Sequence, residues 1–346
     1  MRYGQLVIGG AAAGKTTYCR GLCQLLSQLK RKFVVVNLDA GNAADWADQT
    51  IDVRELVKVE EVGETENLGP NGSLLFCMEQ VLVDFSWLEE KINSFSQDTY
   101  VIIDCPGQIE LFTHSDVLAK LTDLLRKRLT LNLVCVNLVD CILICNKFNY
   151  LSSLLASLAS MVQLELPHIN VLSKLDLLRN LSDNLDTSLS LRSALTAGGE
   201  GCGDLRQLLC SEKRSDNRQE REFDKLATNL AELIDDYGLV GFQPLAVEDK
   251  ELMIRLLAIC DKSNGFSCNN PNAMTLDVSH ETPEELFTTI EEKFIHDHIP
   301  GCAACRNPEA SLVCGRCKHV KYCDRSCQAE HWKNHHRLNC KAPGAK

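Results

Sequence analysis

A glycine-rich segment near the N-terminus constrains the fold of this chain more than any other feature. Residues 9–16 read Gly-Gly-Ala-Ala-Ala-Gly-Lys-Thr and fit the pattern G-x4-G-K-[ST]. The segment follows a short apolar run and precedes a stretch of helix length, as the motif requires. Small residues let the backbone curl until several N–H groups point at one anion, and the helix N-terminus adds positive potential. We therefore predict a phosphate-binding loop between a strand and a helix.

Short apolar runs alternate with longer amphipathic segments, which predicts an α/β fold. Six runs are typical of buried strands, the last more weakly: 5–9, 33–38, 100–104, 131–138, 169–172 and 242–247. Four segments between them have the length of helices: 15–30, 73–95, 116–128 and 148–162. This order predicts a P-loop NTPase fold, with a mostly parallel sheet flanked by helices.

With 346 residues, the chain can form one sizeable core and a second, smaller module. We place a first domain at residues 1–266, with a glycine-rich and charged insertion at about 180–222. Residues 267–300 are predicted to form a polar linker and a helix, and residues 301–342 a zinc-stabilised module.

The phosphate-binding motif assigns roles to its residues directly. Lys15 is expected to bridge the β- and γ-phosphates of a nucleotide, and the Thr16 hydroxyl to bind Mg²⁺. The candidate phosphate-contacting residues are Ala12, Ala13, Gly14, Lys15, Thr16 and Thr17. The alternative is a fortuitous glycine-rich turn between a strand and a helix.

A second motif, at residues 100–108, reads Tyr-Val-Ile-Ile-Asp-Cys-Pro-Gly-Gln and predicts a core strand that ends beside the phosphate loop. Asp104 is a candidate Mg²⁺ ligand, either directly or through water. Gly107 can donate its backbone N–H to the γ-phosphate because no side chain blocks the approach. Gln108 is then near the attacking water and is a candidate catalytic residue.

Asp39 follows another predicted strand, at 33–38. Its carboxylate is a candidate for orienting the attacking water or for a link to the metal. The alternative is that Asp39 only caps the turn at the end of the strand.

Residues 169–176 predict which base is bound. They read Ile-Asn-Val-Leu-Ser-Lys-Leu-Asp, a strand followed by S-K-x-D, which is a variant of the guanine-reading motif [NT]-K-x-D. Asp176 can accept from the ring N–H and the exocyclic amine of guanine, whereas adenine would leave the carboxylate unpaired. Lys174 is expected to lay its stem along the purine plane. Ligands GTP and GDP are therefore predicted at Ser173, Lys174, Leu175 and Asp176.

These motifs, with the segment 68–74, resemble the GPN-loop GTPases. The matching segments are 14–18, 36–39, 68–74, 104–111 and 166–176, and the resemblance covers about residues 3–266. The sequences of these segments are most similar to those of the second eukaryotic paralogue of that family. The resemblance implies a homodimer, or a heterodimer with a related chain, in which Gly69, Pro70 and Asn71 reach into the partner's active site. It also implies a role in the cytoplasmic assembly and nuclear import of RNA polymerase II and related polymerases, through polymerase subunits or assembly factors.

From the residues themselves, Gly69-Pro70-Asn71 is expected to form a tight, exposed, hairpin-like projection; an ordinary turn is the alternative. The chain departs from the family at residues 39–42, which read Asp-Ala-Gly-Asn where Asp-Pro-Ala-Asn is usual. This departure is expected to slow hydrolysis. A nucleotide-binding scaffold with little turnover is therefore an alternative function, whereas S-K-x-D argues against a small-molecule or polynucleotide kinase.

Seven cysteines and one histidine define the C-terminal module. Their spacing, C-x2-C-x8-C-x2-C-x5-C-x3-C-x8-H-x3-C, suits two tetrahedral Zn²⁺ ions. The candidate ligands are Cys302, Cys305, Cys314, Cys317, Cys323, Cys327, His336 and Cys340. A segment of about 45 residues buries too little apolar surface to fold alone, so the metal is expected to supply folding free energy. A disulfide cluster is the alternative.

The spacing resembles the MYND-type zinc finger, including Tyr322 and Trp332. The resemblance implies interleaved sites, in which Cys302, Cys305, Cys323 and Cys327 hold one ion and Cys314, Cys317, His336 and Cys340 the other. His335 competes for the eighth position, although a helix would place His336 on one face with Cys340. The resemblance also implies a short peptide ligand. We expect His331 to face solvent.

Composition narrows the remaining classes of protein. The net charge of −11 argues against nucleic-acid binding by the whole chain, although residues 301–346 carry nine Lys and Arg against three Asp and Glu. No stretch reaches the length of about eighteen apolar residues that a membrane span needs. We also expect no secretory signal. The eighteen cysteines are then expected to be reduced thiols or metal ligands in the cytoplasm.

Overall fold

The computed structural model describes residues 1–42, 50–180, 225, 228–230, 240–269, 283–290, 293–294, 312–314 and 321–332. Within these residues, the N-terminal region contains a seven-stranded sheet with the strand order β3-β2-β4-β1-β5-β6-β7. The strands are β1 (Arg2–Gly9), β2 (Phe33–Asn37), β3 (Thr50–Asp52), β4 (Tyr100–Asp104), β5 (Leu131–Asp140), β6 (His168–Ser173) and β7 (Phe242–Pro244). All neighbouring strands are parallel, which confirms the predicted fold class.

Helices connect the strands on both faces of the sheet. They are α1 (Lys15–Gln28), α2 (Val59–Thr65), α3 (Pro70–Val83), α4 (Phe85–Asn93), α5 (Glu110–Thr113), α6 (Val117–Leu129), α7 (Lys147–Leu164), α8 (Lys250–Ser263), α9 (Phe266–Asn269) and α10 (Pro283–Ile290). Short 3₁₀ turns lie at Val53–Glu55, Cys141–Cys145 and Leu175–Asn180. Among the described residues, every helix is too short or too polar to cross a membrane.

The central strands are buried on both faces, which explains their continuous apolar sequences. β1 and β4 are buried at every position. One face packs against α1 and α8 through residues such as Leu22 and Leu256. The other packs against α3 and α6 through Met78 and Leu121. The carboxyl ends of the parallel strands therefore meet at one edge of a rigid sheet, where the predicted motifs lie.

Two elements differ from the sequence-based expectation. Residues 73–95, expected as one helix, form α3 and α4, and α3 begins at Pro70. The break occurs at Asp84, which leaves helical geometry with φ −108° and ψ 49°. Its carboxylate accepts a hydrogen bond from the Ser86 hydroxyl at 2.9 Å. Strand β3 was missed because three residues are too short a run to show a period of two.

Helix α10 packs into the core of the sheet domain. Leu286, Phe287 and Ile290 of this helix, with Phe294, are buried in one cluster with Tyr150 of α7. The segment 267–300, expected to be a linker and a helix, therefore contributes apolar side chains to the first domain. The predicted insertion lies, from residue 181 onward, outside the described residues.

The described part of the C-terminal module is a short hairpin followed by a helix. Strands β8 (Leu312–Val313) and β9 (Lys321–Tyr322) pair antiparallel, and α11 (Arg325–His331) follows. Cys314 and Tyr322 are buried there, with Cys323, Cys327 and Trp332 packed against them. These residues form one apolar cluster in the described part of the module.

Candidate active site

The phosphate loop lies at the carboxyl end of β1, as its motif predicts. Ala12 has a φ of 59° and Gly14 a φ of 94°, and these left-handed residues turn the chain into α1. The Ala13 N–H donates to the Gly10 carbonyl at 3.2 Å and closes the loop. Lys15, Thr16 and Thr17 then form the first turn of the helix. A phosphate at this position would face backbone N–H groups and the positive end of α1.

Lys15 and Gly107 meet at this loop. Lys15 is only 7% exposed, and its Nζ donates to the carbonyl oxygens of Gly9 at 3.0 Å and Gly10 at 3.1 Å. A Cβ added at Gly107 would lie 3.0 Å from Lys15 Nζ and 3.0 Å from Ala11 Cα. The D-x-P-G motif is therefore packed against the phosphate loop so closely that only glycine fits without displacement.

Asp104 ends β4 beside Thr16, and these two residues were predicted to bind Mg²⁺. Thr16 Oγ1 donates to Asp104 Oδ2 at 3.0 Å, and Asn42 Nδ2 donates to Thr16 Oγ1 at 2.8 Å. Asp104 is buried, and its Oδ1 has no hydrogen-bond partner among the residues that the structure describes. A buried carboxylate oxygen beside a hydroxyl suits a hard divalent cation, which prefers oxygen ligands.

The electrostatic environment of Asp104 makes its carboxyl a weaker acid than an ordinary aspartate. Burial raises the pKa of Asp104 to about 6, and the Asp39 carboxylate contributes to the increase, against the hydrogen bond from Thr16. A bound cation would favour the charged carboxylate, so cation binding and proton release are coupled at this position.

Asp39 follows β2 and holds the turn after it. Its Oδ1 accepts a hydrogen bond from the Gly41 N–H at 3.1 Å, and its own N–H donates to Asn37 Oδ1 at 3.2 Å. Burial raises the pKa of Asp39, while the Gly41 N–H and the charge of Lys15 oppose this increase. Asp39 therefore caps its turn, and it also lies within electrostatic range of Lys15 and Asp104.

Two further polar side chains, Gln108 and Asn42, lie in the loops that follow β4 and β2. Gln108, a predicted catalytic residue, has a buried Oε1 with no hydrogen-bond partner in the described part of the chain. Asn42, which contacts Thr16, was not among the predicted site residues. Its position in the segment 39–42, close to Asp39, was the only indication in the sequence. The contact with Thr16 could not be predicted, because the fold determines which distant residue a loop side chain reaches.

Ser173 connects the segment that is predicted to read the base to the phosphate loop. Its hydroxyl lies 2.7 Å from the Ala13 carbonyl oxygen and 3.1 Å from the Val139 carbonyl oxygen. Lys174 follows with a φ of 62°, and its Cε lies 3.8 Å from the position of a Cβ added at Gly14. The lysine stem therefore passes over the start of α1, beside the phosphate loop.

Leu175 and Asp176 begin the 3₁₀ turn after β6. Leu175 is buried, and its N–H donates to the Leu245 carbonyl at 3.2 Å. Asp176 is exposed. The leucine thus anchors the turn and leaves the carboxylate accessible at the same sheet edge as the phosphate loop, where a base could be read.

Gly69, Pro70 and Asn71 begin a helix, so the expectation of a hairpin-like projection was wrong. Gly69 precedes α3 and its carbonyl accepts from the Ser73 N–H at 2.9 Å, while Pro70 is the first helical residue. Proline suits this position because its fixed φ fits the helix and its missing N–H is not needed. Asn71 is exposed, and no hydrogen bond of the described residues joins it to the phosphate loop of its own chain.

Three of the eight predicted zinc ligands lie within the described residues. The Sγ atoms of Cys323 and Cys327 are 3.4 Å apart, near the separation of about 3.8 Å for two thiolates on one tetrahedral zinc with Zn–S bonds of about 2.3 Å. Asp324 lies close to both, but its carboxylate accepts from the Cys327 N–H at 2.8 Å and caps α11. Cys314 is the third ligand described. The other five predicted ligands lie outside the described residues: Cys302, Cys305, Cys317, His336 and Cys340. The same holds for His335, the alternative eighth ligand.

His331 was expected to face solvent, but it contacts Tyr322. Its Nδ1 lies 3.1 Å from the Tyr322 hydroxyl, and the two rings are 5.8 Å apart. Helix α11 turns this histidine back toward β9, so its first role is to pack the module.

Two family models match the chain. One, described as a conserved hypothetical ATP binding protein, matches residues 7–266, and a MYND finger model matches residues 302–340. The second match runs from Cys302 to Cys340, the first and the last predicted zinc ligand. The C-terminal module is therefore a MYND zinc finger.

Several known proteins are similar over most of the chain. GPN-loop GTPase QQT1 of Arabidopsis thaliana is 37% identical over 306 residues, which are 86% of this chain and 98% of that one. GPN-loop GTPase 2 of Danio rerio is 40% identical over 77% of this chain and 82% of its own length. GPN-loop GTPase 2 of Saccharomyces cerevisiae is 35% identical over 77% of this chain and 75% of its own.

A solved structure shares the fold. A GTPase from Pyrococcus abyssi in its apo form superposes with a TM-score of 0.57, covering 75% of this chain and 97% of that chain at 23% identity. At this identity the likeness supports the parallel-sheet architecture alone.

Proposed function

We propose that this chain, which belongs to the GPN-loop GTPase family and is a GTP hydrolase, works as a Mg²⁺-dependent dimer. In this proposal the dimer is a factor for the assembly or the import of client proteins. The observation that carries the site assignment is the convergence of Lys15, Thr16, Asp104 and Gly107 at one sheet edge. Ser173 joins this cluster to the base-reading segment. One continuous site can therefore accommodate both the phosphates and the base.

The chain's own residues would perform hydrolysis mainly by positioning and charge stabilisation. Lys15 supplies the cation beside the β- and γ-phosphates, and the Gly107 N–H stabilises the charge that develops on the γ-phosphate. Thr16 and Asp104 would hold Mg²⁺, which when bound neutralises phosphate charge. Asp39 or Gln108 aligns the attacking water, and the buried Oε1 of Gln108, which has no hydrogen-bond partner among the described residues, supports that role.

Guanine selection is proposed to come from Asp176 and Lys174. The exposed Asp176 carboxylate accepts from the two guanine donors, and a purine without them would leave a carboxylate unpaired. The Lys174 stem, which passes Gly14, contributes an apolar wall to the base site. Two neighbouring residues hold this segment in place. The Ser173 hydroxyl donates to the Ala13 carbonyl, and the Leu175 N–H donates to the Leu245 carbonyl.

The second part of the proposal concerns partners. Because Asn71 is exposed at the start of α3, it is available to a second subunit, a copy of this chain or a related GPN-loop GTPase. In that dimer Gly69, Pro70 and Asn71 would approach the partner's phosphates. The MYND finger would recruit a protein through a short peptide.

RNA polymerase II and related polymerases are the proposed clients, which places the work in the cytoplasm with passage to the nucleus. The test is capture of polymerase subunits or assembly factors from cell extract by the full chain loaded with GTP or with GDP. We expect capture to depend on the nucleotide in the parent chain and not in Lys15→Ala. Equal capture in all samples would support the alternative of a scaffold that needs no GTP cycle.

A further inference from the structure

Lys174 is held by two consecutive residues at the end of the neighbouring strand. β5 pairs with β6 in parallel, with Asp140 opposite Ser173, so the chain after β5 runs beside the lysine. Lys174 Nζ lies 2.7 Å from Asp140 Oδ2, and the Lys174 carbonyl accepts a hydrogen bond from the Cys141 thiol at 2.9 Å. One residue therefore fixes the side chain and the next fixes the backbone.

The thiol contact holds a backbone conformation that lysine rarely adopts. Lys174 has a φ of 62°, and non-glycine residues remain in this region when surrounding contacts favour it. Cys141 is fully buried, and burial raises the pKa of its thiol, which stays protonated and able to donate. The buried donor thus restrains the lysine at the point where the chain leaves β6.

The carboxylate contact sets the direction of the lysine stem. The two side chains are 30% and 21% exposed for Lys174 and Asp140, and ion pairs with this much solvent contact contribute little to folding. The consequence of this ion pair is geometric, because the ammonium is held at the end of β5 while the Cε methylene group lies close to Gly14, before the start of α1. The end of the stem therefore lies beside the phosphate loop, and the turn that carries Asp176 follows Lys174 directly in the chain.

The two oxygens of Asp140 have separate functions. Oδ1 accepts from the Ile142 N–H at 3.0 Å and caps the 3₁₀ turn Cys141–Cys145, while Oδ2 contacts Lys174. An asparagine at this position can keep the capping oxygen but lacks the charge. The substitution Asp140→Asn therefore separates the ion pair from the cap.

We propose that Asp140 and Cys141 are positioning residues for nucleotide binding, which hold Lys174 so that its stem forms one wall of the purine site. This inference rests on the proposed role of Lys174 and adds two residues that lie outside the S-K-x-D motif. Methylene groups can contact any purine. The Asp140–Cys141 pair therefore sets the affinity, whereas Asp176 sets the choice of base.

The first test compares binding of GDP and IDP, since inosine lacks the exocyclic amine of guanine. Calorimetry on the full chain should show that Asp140→Asn weakens both nucleotides by the same factor, about tenfold, and leaves the ratio of the two affinities at the parent value. Asp176→Asn should lower that ratio, because it removes the carboxylate that reads the amine. An altered ratio in Asp140→Asn would overturn the inference.

The second test uses Cys141 and does not depend on the cap. Cys141→Ala should weaken GDP and IDP alike, whereas Cys141→Ser should restore most of the affinity because the hydroxyl can still donate to the Lys174 carbonyl. Parent-like affinity in Cys141→Ala, with the chain folded by thermal melting, would remove the thiol from the proposal. This pair of variants also decides the matter if Asp140→Asn does not fold.

A double-mutant comparison separates this inference from the proposed function itself. Lys174→Ala should weaken GDP binding, and Asp140→Asn should cause no further loss in that background. If Lys174→Ala keeps parent affinity, the proposed role of Lys174 in the base site is wrong, and the inference is wrong with it. If Lys174→Ala weakens binding but folded Asp140→Asn binds GDP and IDP like the parent, only the positioning role is overturned.

Discussion

The Asp104 carboxyl lies in an environment that disfavours its negative charge. Its carboxyl is buried with one oxygen unpaired within the described residues, and its pKa is raised to about 6, mainly by burial. The usual pKa of this group is 3.8. Between these two values the folded state binds more protons than the unfolded state, so this residue lowers stability as pH rises through the interval. Such a cost is typical of a residue retained for binding a cation.

We expect Asp104→Asn to raise the melting temperature of the nucleotide-free protein in EDTA at pH 7.5 and to abolish Mg²⁺-dependent phosphate release. The neutral amide avoids a penalty of up to about 3 kcal/mol, and the gain should shrink to less than about 1 kcal/mol near pH 4, where the folded parent carboxyl is protonated and the unfolded one is about half protonated. Thermal unfolding at the two pH values measures this difference.

The matched control for Asp104 is Asp261, another buried carboxylate whose pKa is also raised by burial, but which has an arginine partner that opposes this increase. Both its oxygens contact Arg31, at 2.6 and 3.3 Å. Asp261→Asn should therefore lower the melting temperature, because it leaves the arginine without its charged partner. If Asp104→Asn is destabilising at pH 7.5 as well, the account of the raised pKa and its consequence is incorrect.

At the scale of elements, the junction between β4 and the phosphate loop is the tightest part of the site. Gly107→Ala would bring a Cβ to 3.0 Å from Lys15 Nζ and Ala11 Cα. We expect GTP turnover to fall by about tenfold, because Lys15 or the Ala11 backbone must shift to relieve these contacts, and a shift of about 1 Å can cost about 100-fold. GDP affinity should change less, since GDP has no γ-phosphate at this position.

Gly63→Ala is a suitable control for Gly107→Ala. Its added Cβ would meet Ser73 Oγ at 3.5 Å, an ordinary contact, on a helix away from the phosphate loop. Single-turnover phosphate release and GDP titration distinguish the two variants. Equal turnover in Gly107→Ala and the parent would mean that the D-x-P-G motif does not approach the γ-phosphate.

The elements were predictable where a local pattern determines them. The buried strands have continuous apolar sequences, and the phosphate loop has a fixed spacing, so both follow from short segments of chain. The contacts of Asn42 with Thr16 and of Asp140 with Lys174 join residues 26 and 34 positions apart. The fold alone brings these side chains together. The start of α3 at Pro70 was missed because glycine and proline are also typical of turns, and tertiary packing decides between the two.

At the scale of the whole molecule, the chain combines a GTPase domain with a metal-dependent module. We expect native mass spectrometry of the full chain to show two zinc ions, and Cys323→Ala to retain one, because Cys323 is proposed to serve a single ion. Cys268→Ala is the matched control, since this exposed cysteine lies outside the ligand set and should leave both ions bound. A parent chain with one ion or none would refute the interleaved pair.

The dimer proposal predicts complementation between two inactive variants. Asn71→Ala should lower kcat more than nucleotide affinity, as for a contact made in the transition state, and Lys15→Ala should remove nucleotide binding or turnover. A mixture of the two should regain activity, because one site of a mixed dimer has both residues intact. Each variant alone provides the baseline. An inactive mixture in which mixed dimers demonstrably form would leave Asn71 only a helix-start residue.

Guanine-specific hydrolysis at a site formed by the phosphate loop and the S-K-x-D segment is the main proposal for this chain. Its most direct test is phosphate release by the purified full chain with Mg²⁺ and either GTP or ATP, beside Lys15→Ala. Asp176 should favour GTP by at least about 100-fold in kcat/KM, since a base that cannot donate leaves a charged acceptor unpaired. Release from GTP that is lost in Lys15→Ala, with little from ATP, is the predicted result. Equal release from ATP and GTP, or undiminished release in Lys15→Ala, would contradict the account.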